Sequence, residues 1–439
     1  MNSERKIVAN LGFFLQITGL FLVLPIVIGL KTGEIPVVSS LFATSFLSFA
    51  VGFVFNSFAE RKELDERTSL WLMFATFTVL PLVLMVPFVW HNVFNSRDLV
   101  DLLTNAYFET VSGFTTTGFT FIANPESLPT SLLFYRSLVE FIGGIGLVYI
   151  FLAFLYPNEG LHVFSETFGI EKLSQNLKKV FASIMLVYTV LAGLFTFIFY
   201  FTYSSNLVNS SCIAMDVLTG GYQPKNFPAG IGLFQVSVFA LMLLGSLNFH
   251  FHYNLFSLKP HSLFTPEIKF YLKVIVATTV AISILAFMNP FDSLFHVVSM
   301  ASSTGISYIN LAATSGATKM LFILIGLAGG CAFSMAGGIK MQRIQLLIHS
   351  VSKGNLRPTR QELKSILAIV TGFATMLLIL SLAFSTIGIT LIDSIFEVGS
   401  ALTTNGISMG ATTVALPLSH KWLLIFAMII GRVEIATLF

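Results

Sequence analysis

Charge is what this sequence lacks. Asp, Glu, Lys and Arg make up 10% of its 439 residues, against about 25% in an ordinary soluble domain, so the chain cannot cover itself in water. Cysteine is nearly absent. Cys212 and Cys331 lie far apart in apolar surroundings, which argues against a disulfide framework and against a thiolate metal site. No Walker loop or other nucleotide motif occurs. His250 and His252, two apart on a helical stretch, point to different faces rather than to a shared metal. Neither His252 nor His296 has an obvious acid, base or nucleophile beside it in sequence, so an intramembrane enzyme is disfavoured. No small-residue cleavage pattern follows the first apolar segment, which is therefore expected to be retained.

What the sequence has is apolar length. It is 55% hydrophobic with 46 Phe, and its mean hydropathy is +0.85. Ten stretches approach the ~20 residues that cross a bilayer: roughly 9–29, 38–57, 70–90, 131–155, 180–203, 231–257, 270–289, 319–347, 366–391 and 418–439. The expected class is an all-α polytopic membrane protein of about ten spans. With the N-terminus inside, only six of the 24 Lys and Arg residues (Lys31, Arg97, Arg136, Lys225, Lys319 and Lys421) fall outside. That satisfies the positive-inside rule and puts both termini in the cytoplasm. The same bias accounts for the basic loops without invoking nucleic acid.

Four outer stretches repeat one pattern. Gly118, Gly221, Gly305 and Gly406 are spaced by 103, 84 and 101 residues. Two positions before them stand Thr116, Thr219, Ser303 and Thr404, and one before stand Thr117, Gly220, Thr304 and Asn405. One position after come Phe119, Tyr222, Ile306 and Ile407; nine before come Glu109, Cys212, His296 and Glu397. Each glycine follows a short helix-compatible stretch and sits between two apolar segments, which makes a fourfold internal repeat of span, short helix, loop, span. The divisions are an N-terminal pair of spans (1–66) and repeats at 67–158, 175–260, 266–350 and 361–439.

Elementary electrostatics says what such a unit favours. A half-helix entering from outside turns its partially negative C-terminal end toward the membrane interior, where it attracts a cation. Irregular backbone at that depth survives only inside protein or along a water-filled cavity. Four glycine loops around one axis would line such a cavity with carbonyl oxygens, which can replace a cation's hydration shell. Glu109, Asp216 and Glu397 in the short helices are read as buried, hydrogen-bonded residues rather than ion ligands.

A further stretch, "GLAGGCAFSMAGG" (326–338), holds five glycines in thirteen residues in the second span of the third repeat. Each would weaken a helix interior by ~1 kcal/mol. A break forming a loop across the cavity is the reading taken, with close helix packing the alternative. For "FIGGIG" (141–146) packing is the better reading.

These loops, with "LLFYRSLVEFIGGIGLVYIFLAFLYP" (132–157), "GGCAFSMAGGIKMQRIQLL" (329–347) and "GRVEIATLF" (431–439), make the chain resemble the Trk/Ktr/HKT superfamily of potassium transporters, closest to its Trk-type membrane subunit. The likeness runs nearly the whole length. It implies K⁺ uptake through a selectivity filter at Thr116, Thr117, Gly118, Thr219, Gly220, Gly221, Ser303, Thr304, Gly305, Thr404, Asn405 and Gly406. It implies a gate at Gly329, Gly330, Gly337 and Gly338 with Arg432 beside it; in the residue reading Arg432 alternatively snorkels to the inner interface or pairs with Glu434. It also implies a homodimer in the cytoplasmic membrane and a cytoplasmic nucleotide-binding ring subunit as partner. No covalently bound cofactor is expected, and K⁺ is cargo.

The chain departs from the family pattern in places. Phe333, Met335 and Ala336 replace small or polar members of the glycine-rich loop, Lys225 lies near the second filter's mouth, and Asn405 precedes the fourth glycine. All four filter glycines remain, which by the resemblance implies K⁺ rather than Na⁺. A Na⁺-permeable relative and a regulatory or assembly subunit with a vestigial pore are the other readings.

Overall fold

The apolar stretches become helices, and short polar residues decide where they begin. In the computed structural model, residues 3–58, 66–150, 177–223, 227–228, 230–256, 263–351 and 358–433 are described; they contain eighteen α-helices and no strand. The chain opens with α1 (Ser3–Phe21) and α2 (Val23–Thr32), which run on as one apolar unit, and returns through α3 (Ile35–Ser57). Gly12 and Gly52 let α1 and α3 approach until a methyl on either would meet the other helix's backbone at 2.6 or 2.7 Å.

The first repeat runs from α4 (Glu66–Leu84) and α5 (Val86–Trp90) through the short α6 (Leu99–Phe114) to α7 (Thr130–Ile150). Glu34, in the turn before α3, fastens the N-terminal pair to this repeat. Its carboxylate accepts from the N–H groups of Thr130 and Ser131, each at 2.8 Å, so it satisfies the first orphan donors of α7. Half-burial alone would raise the pKa of Glu34, but the bonds from Ser131 and Thr130 outweigh it and hold the carboxyl below its ordinary value.

The second repeat comprises α8 (Leu177–Thr202), α9 (Leu207–Thr219), α10 (Leu233–Ser246) and α11 (Phe249–Phe256). The last two are bent by 108° at Leu247–Asn248, the geometry of a broken span or a re-entrant loop. The third has α12 (Pro266–Leu285), α13 (Pro290–Ala301), α14 (Gly316–Ala328) and α15 (Met341–Val351). The fourth has α16 (Arg360–Phe384), α17 (Leu391–Leu402) and α18 (Leu418–Arg432). One hydrophobic core joins α1–α7 with α16–α18, and a second joins α8–α15.

Phe42, Phe46 and Phe53 on α3, Val276, Val280 and Ile284 on α12, and Leu378, Ile379 and Leu382 on α16 stay exposed. Such outward apolar faces belong in lipid, and the protein is a multi-pass membrane protein. Among the described residues, six helical units are long and apolar enough to cross a bilayer, or seven if the bent pair counts as one. The expected ten are not reached on that measure. Of the others, α7 and α18 end at or near the edge of the described residues, and the stretch 319–347 is broken after Ala328.

Candidate functional site

Four short helices, α6, α9, α13 and α17, carry the loops singled out in the sequence. Each begins at a side chain that caps its first turn: Asp98 accepts from Asp101 N–H, Asn206 from Val208 and Asn209, Asn289 from Phe291, and Thr390 from Asp393. Each buries its C-terminal half. The four negative helix ends thus converge in the protein interior.

The loops that follow close into a ring. A methyl group on Gly118 would collide with the carbonyl of Gly221, one on Gly220 with that of Ser303, one on Gly305 with that of Asn405, and one on Gly406 with that of Thr117. Loop one therefore abuts loops two and four, and loop three abuts loops two and four. Gly118, Gly221, Gly305 and Gly406 also take positive φ, at 84°, 148°, 72° and 70°, a region L side chains rarely enter.

Three loops follow one path. Thr116, Ser303 and Thr404 are left-handed at φ 57°, 56° and 52°. Thr117, Thr304 and Asn405 donate their N–H to the carbonyls of Ser112, Ser299 and Ser400, at 2.8, 3.1 and 2.8 Å. The second loop differs. Thr219 remains the last residue of α9, the left-handed turn passes to Gly220 at φ 80°, and Gly221 N–H donates across to the Thr304 carbonyl at 3.2 Å. Asn405 is held by its amide, which donates to the Met300 carbonyl at 3.0 Å. All twelve predicted filter residues are thus brought together in this ring.

Carboxylates brace the ring from behind. Glu109 accepts from Thr120 Oγ1 and Phe121 N–H, at 2.9 and 3.1 Å. Glu397 accepts from Ser408 Oγ, Met409 N–H and Thr412 Oγ1 at 2.6, 2.7 and 2.6 Å. Both are fully buried, as loop-holding residues should be.

Two residues of α7 went unrecognised in the sequence. Arg136, counted there among outer cations, is buried and pairs with Glu109 through Nε at 2.8 Å. Its guanidinium lies 3.2 Å from the centre of the Tyr222 ring. Glu140, one turn on, reaches the second loop. The available signal was an Arg and a Glu four apart inside an apolar stretch, an expensive placement that marks a buried role.

Beneath the ring, the helix of the third repeat breaks. Residues 329–340 form an irregular, almost wholly buried segment between α14 and α15, with Gly329, Phe333, Gly338 and Lys340 at positive φ. The Gly337 N–H donates to Ser303 Oγ at 3.0 Å. A methyl on Gly337 would fall 2.6 Å from Thr404 Oγ1, and one on Gly330 would fall 2.7 Å from Ala336 Cβ. Arg432, 2% exposed, donates from Nη1 to the Met335 carbonyl at 3.1 Å. Glu267 accepts from Ala332 N–H at 2.6 Å. The five predicted gate residues are therefore gathered at one place.

Among the described residues no group of His, Cys, Asp and Glu has the geometry of a metal site. Both cysteines are buried and free. His252 Nε2 sits 2.9 Å from the Leu244 carbonyl and His250 Nε2 2.7 Å from Asn254 Nδ2, so the pair share no ligand. In "FIGGIG", Gly143 packs against Phe114 and Gly144 against Thr219, whereas Gly146 faces open space. Lys225 and Glu434 lie outside the described residues.

A family model described as "TrkH: Cation transport protein" matches residues 91–216 and 286–439. An uncharacterised cation transporter of Methanocaldococcus jannaschii is 27% identical, with 97% of this chain and 92% of that protein covered. The Trk system potassium uptake protein TrkH of Escherichia coli K12 is 25% identical over 90% of this chain and 89% of its own. The fold matches the crystal structure of the potassium transporter TrkH from Vibrio parahaemolyticus with a TM-score of 0.84 at 21% identity, covering 100% and 98% of the two chains. The chain belongs to the TrkH family of cation transport proteins, which are transporters and not enzymes.

Proposed function

We propose that this protein carries K⁺ into the cell across the cytoplasmic membrane, with both termini cytoplasmic, through the ring formed by its four glycine loops. The observation that carries the reading is the closure of that ring at the buried C-terminal ends of four capped half-helices. A cation entering there exchanges hydration water for backbone carbonyls, and the helix ends favour its charge. The names of the relatives, Trk system potassium uptake proteins, support K⁺ as the cargo.

In this reading the architecture is four pseudo-symmetric repeats around one pore, preceded by a pair of spans, ten in all. The segment 329–340 obstructs the path below the ring, held by Ser303, Glu267 and Arg432. Opening requires it to move. The chain works as a homodimer with a nucleotide-binding cytoplasmic ring as its regulatory partner; Trk system naming among the relatives supports a multi-component assembly.

The test is uptake of radioactive rubidium and sodium by liposomes holding the purified chain, beside Gly305→Ser. Rubidium uptake that outcompetes sodium, with the preference lost in the variant, supports the reading. Equal uptake of both ions makes the protein a non-selective or Na⁺-permeable relative. No rubidium uptake, even with the cytoplasmic partner added, overturns it.

A further inference from the structure

In the first, third and fourth repeats the residue nine positions before the ring glycine braces the loop that follows it. Glu109 takes the N–H of Phe121, Glu397 that of Met409, and His296 Nε2 that of Tyr308 at 3.1, 2.7 and 3.4 Å. In the second repeat that place is held by Cys212, whose thiol is a weak acceptor. The residue that would donate, Pro224, has no N–H at all. By sequence register the second repeat therefore lacks both halves of the brace, and its loop is the one whose backbone leaves the common path.

A residue from the neighbouring repeat fills the gap. Glu140 of α7, 0% exposed, accepts from Tyr222 N–H through Oε2 and from Thr219 Oγ1 through Oε1, both at 3.0 Å. Its oxygens lie 2.5 and 2.6 Å from where a methyl on Gly221 would be, so it also occupies the space behind the ring. One turn earlier, Arg136 covers the Tyr222 ring, and the Tyr222 hydroxyl donates to the Glu109 carbonyl at 2.6 Å. Tyr222 is gripped at its backbone, ring and hydroxyl by parts of repeat one.

We propose that Glu140 is the positioning residue of the second loop, setting the preference for K⁺ over Na⁺ by fixing Thr219 and Tyr222 on either side of Gly220 and Gly221. It touches the loop and not the ion, so its effect passes through hydrogen-bond geometry. Gln can reproduce the arrangement, because its carbonyl accepts from Tyr222 N–H and its amide donates to Thr219 Oγ1. Asp keeps the charge but falls one methylene short of both partners.

The inference rests on the transport reading, and the experiment separates the two. The full chain in detergent is heated with rubidium or sodium chloride, and the ratio of the two apparent dissociation constants is taken from the rise in Tm, which needs no open gate. Liposome uptake ratios are measured in parallel. Wild type, Glu140→Gln, Glu140→Asp and Glu140→Ala are compared, with Asp and Gln deciding if Ala does not fold. The expected result is a rubidium preference within about twofold of wild type for Gln and lowered at least about tenfold for Asp. An Asp variant as selective as wild type overturns the inference, and so does a Gln variant that fails as badly as Asp, since charge would then be the cause. A wild type with neither rubidium stabilisation nor rubidium flux overturns the transport reading, and this inference with it.

Discussion

The Gly337 N–H donates to Ser303 Oγ at 3.0 Å, joining the segment that breaks the third repeat directly to the ring above it. Ser303 is itself one of the left-handed ring residues, at φ 56°. The lower segment therefore cannot leave the ring without breaking this bond.

Gly337→Ala tests that junction. The added methyl would press on Thr404 Oγ1 at 2.6 Å and on the Thr403 carbonyl. The ring is locked by its neighbours on both sides, so the glycine-rich segment is the part that gives. Rubidium flux in liposomes without any partner should rise by about fivefold or more, consistent with roughly 1 kcal/mol lost from the obstructed state. Flux equal to or below wild type counts against the obstruction.

Ring glycines and the unpacked Gly146 of α7 should separate cleanly. Gly406→Ala combines φ 70° with a clash against the Thr117 carbonyl, a strain of about 1–3 kcal/mol that the loop can relieve only by deforming. Rubidium uptake should fall at least about tenfold. Gly146→Ala meets nothing within 4 Å in an ordinary helix, and should transport like wild type while raising Tm through its ~1 kcal/mol gain in helix propensity.

Arg432→Gln removes a buried cation from the side of the 329–340 segment and weakens its bond to the Met335 carbonyl. A hydrogen bond from a charged donor contributes about 1.5–3 kcal/mol. The expected outcome is a several-fold rise in rubidium flux without change in the rubidium-to-sodium ratio, because the ring is untouched. A changed ratio with unchanged flux would place Arg432 in the wrong role.

Glu34 gives a pH dependence with a definite sign. Its folded pKa lies below the ordinary 4.5, so its bonds to Thr130 and Ser131 add stability above that value. The contribution is lost as pH falls through the folded pKa. Glu34→Gln should melt below wild type at neutral pH, and the two should converge in acid. Parallel curves at all pH values would show that the carboxylate charge is not what caps α7.

Much of this could be read from the chain because it is local. The glycine register, the capping Asn, Asp and Thr residues and the break at 326–338 each depend on residues a few positions apart. The ring's closure needed only the fourfold repeat to be noticed. What stayed hidden crosses between repeats. Arg136 counts as an outer cation by position and Glu140 carries no motif, and only the packing of α7 against α6 and α9 turns them toward Glu109 and Tyr222. The path of the second loop was hidden for a different reason. Two adjacent glycines, Gly220 and Gly221, both suit a left-handed turn, so the register alone could not say which residue leaves the helix. The bend at Leu247–Asn248 read as continuous because Asn248, which accepts from Phe251 N–H as a helix cap, carries little signal inside an apolar run.

The four quarters of the ring are spelled differently: Thr-Thr-Gly, Thr-Gly-Gly, Ser-Thr-Gly and Thr-Asn-Gly. A pore assembled from four identical chains would repeat every substitution four times around its axis. In a single polypeptide each substitution enters once, and the three untouched quarters still hold their walls. A change of threonine to asparagine or glycine thus alters one quadrant and leaves the other three as they were. The quadrants are not interchangeable parts by sequence, since each leans on two neighbours spelled differently from itself.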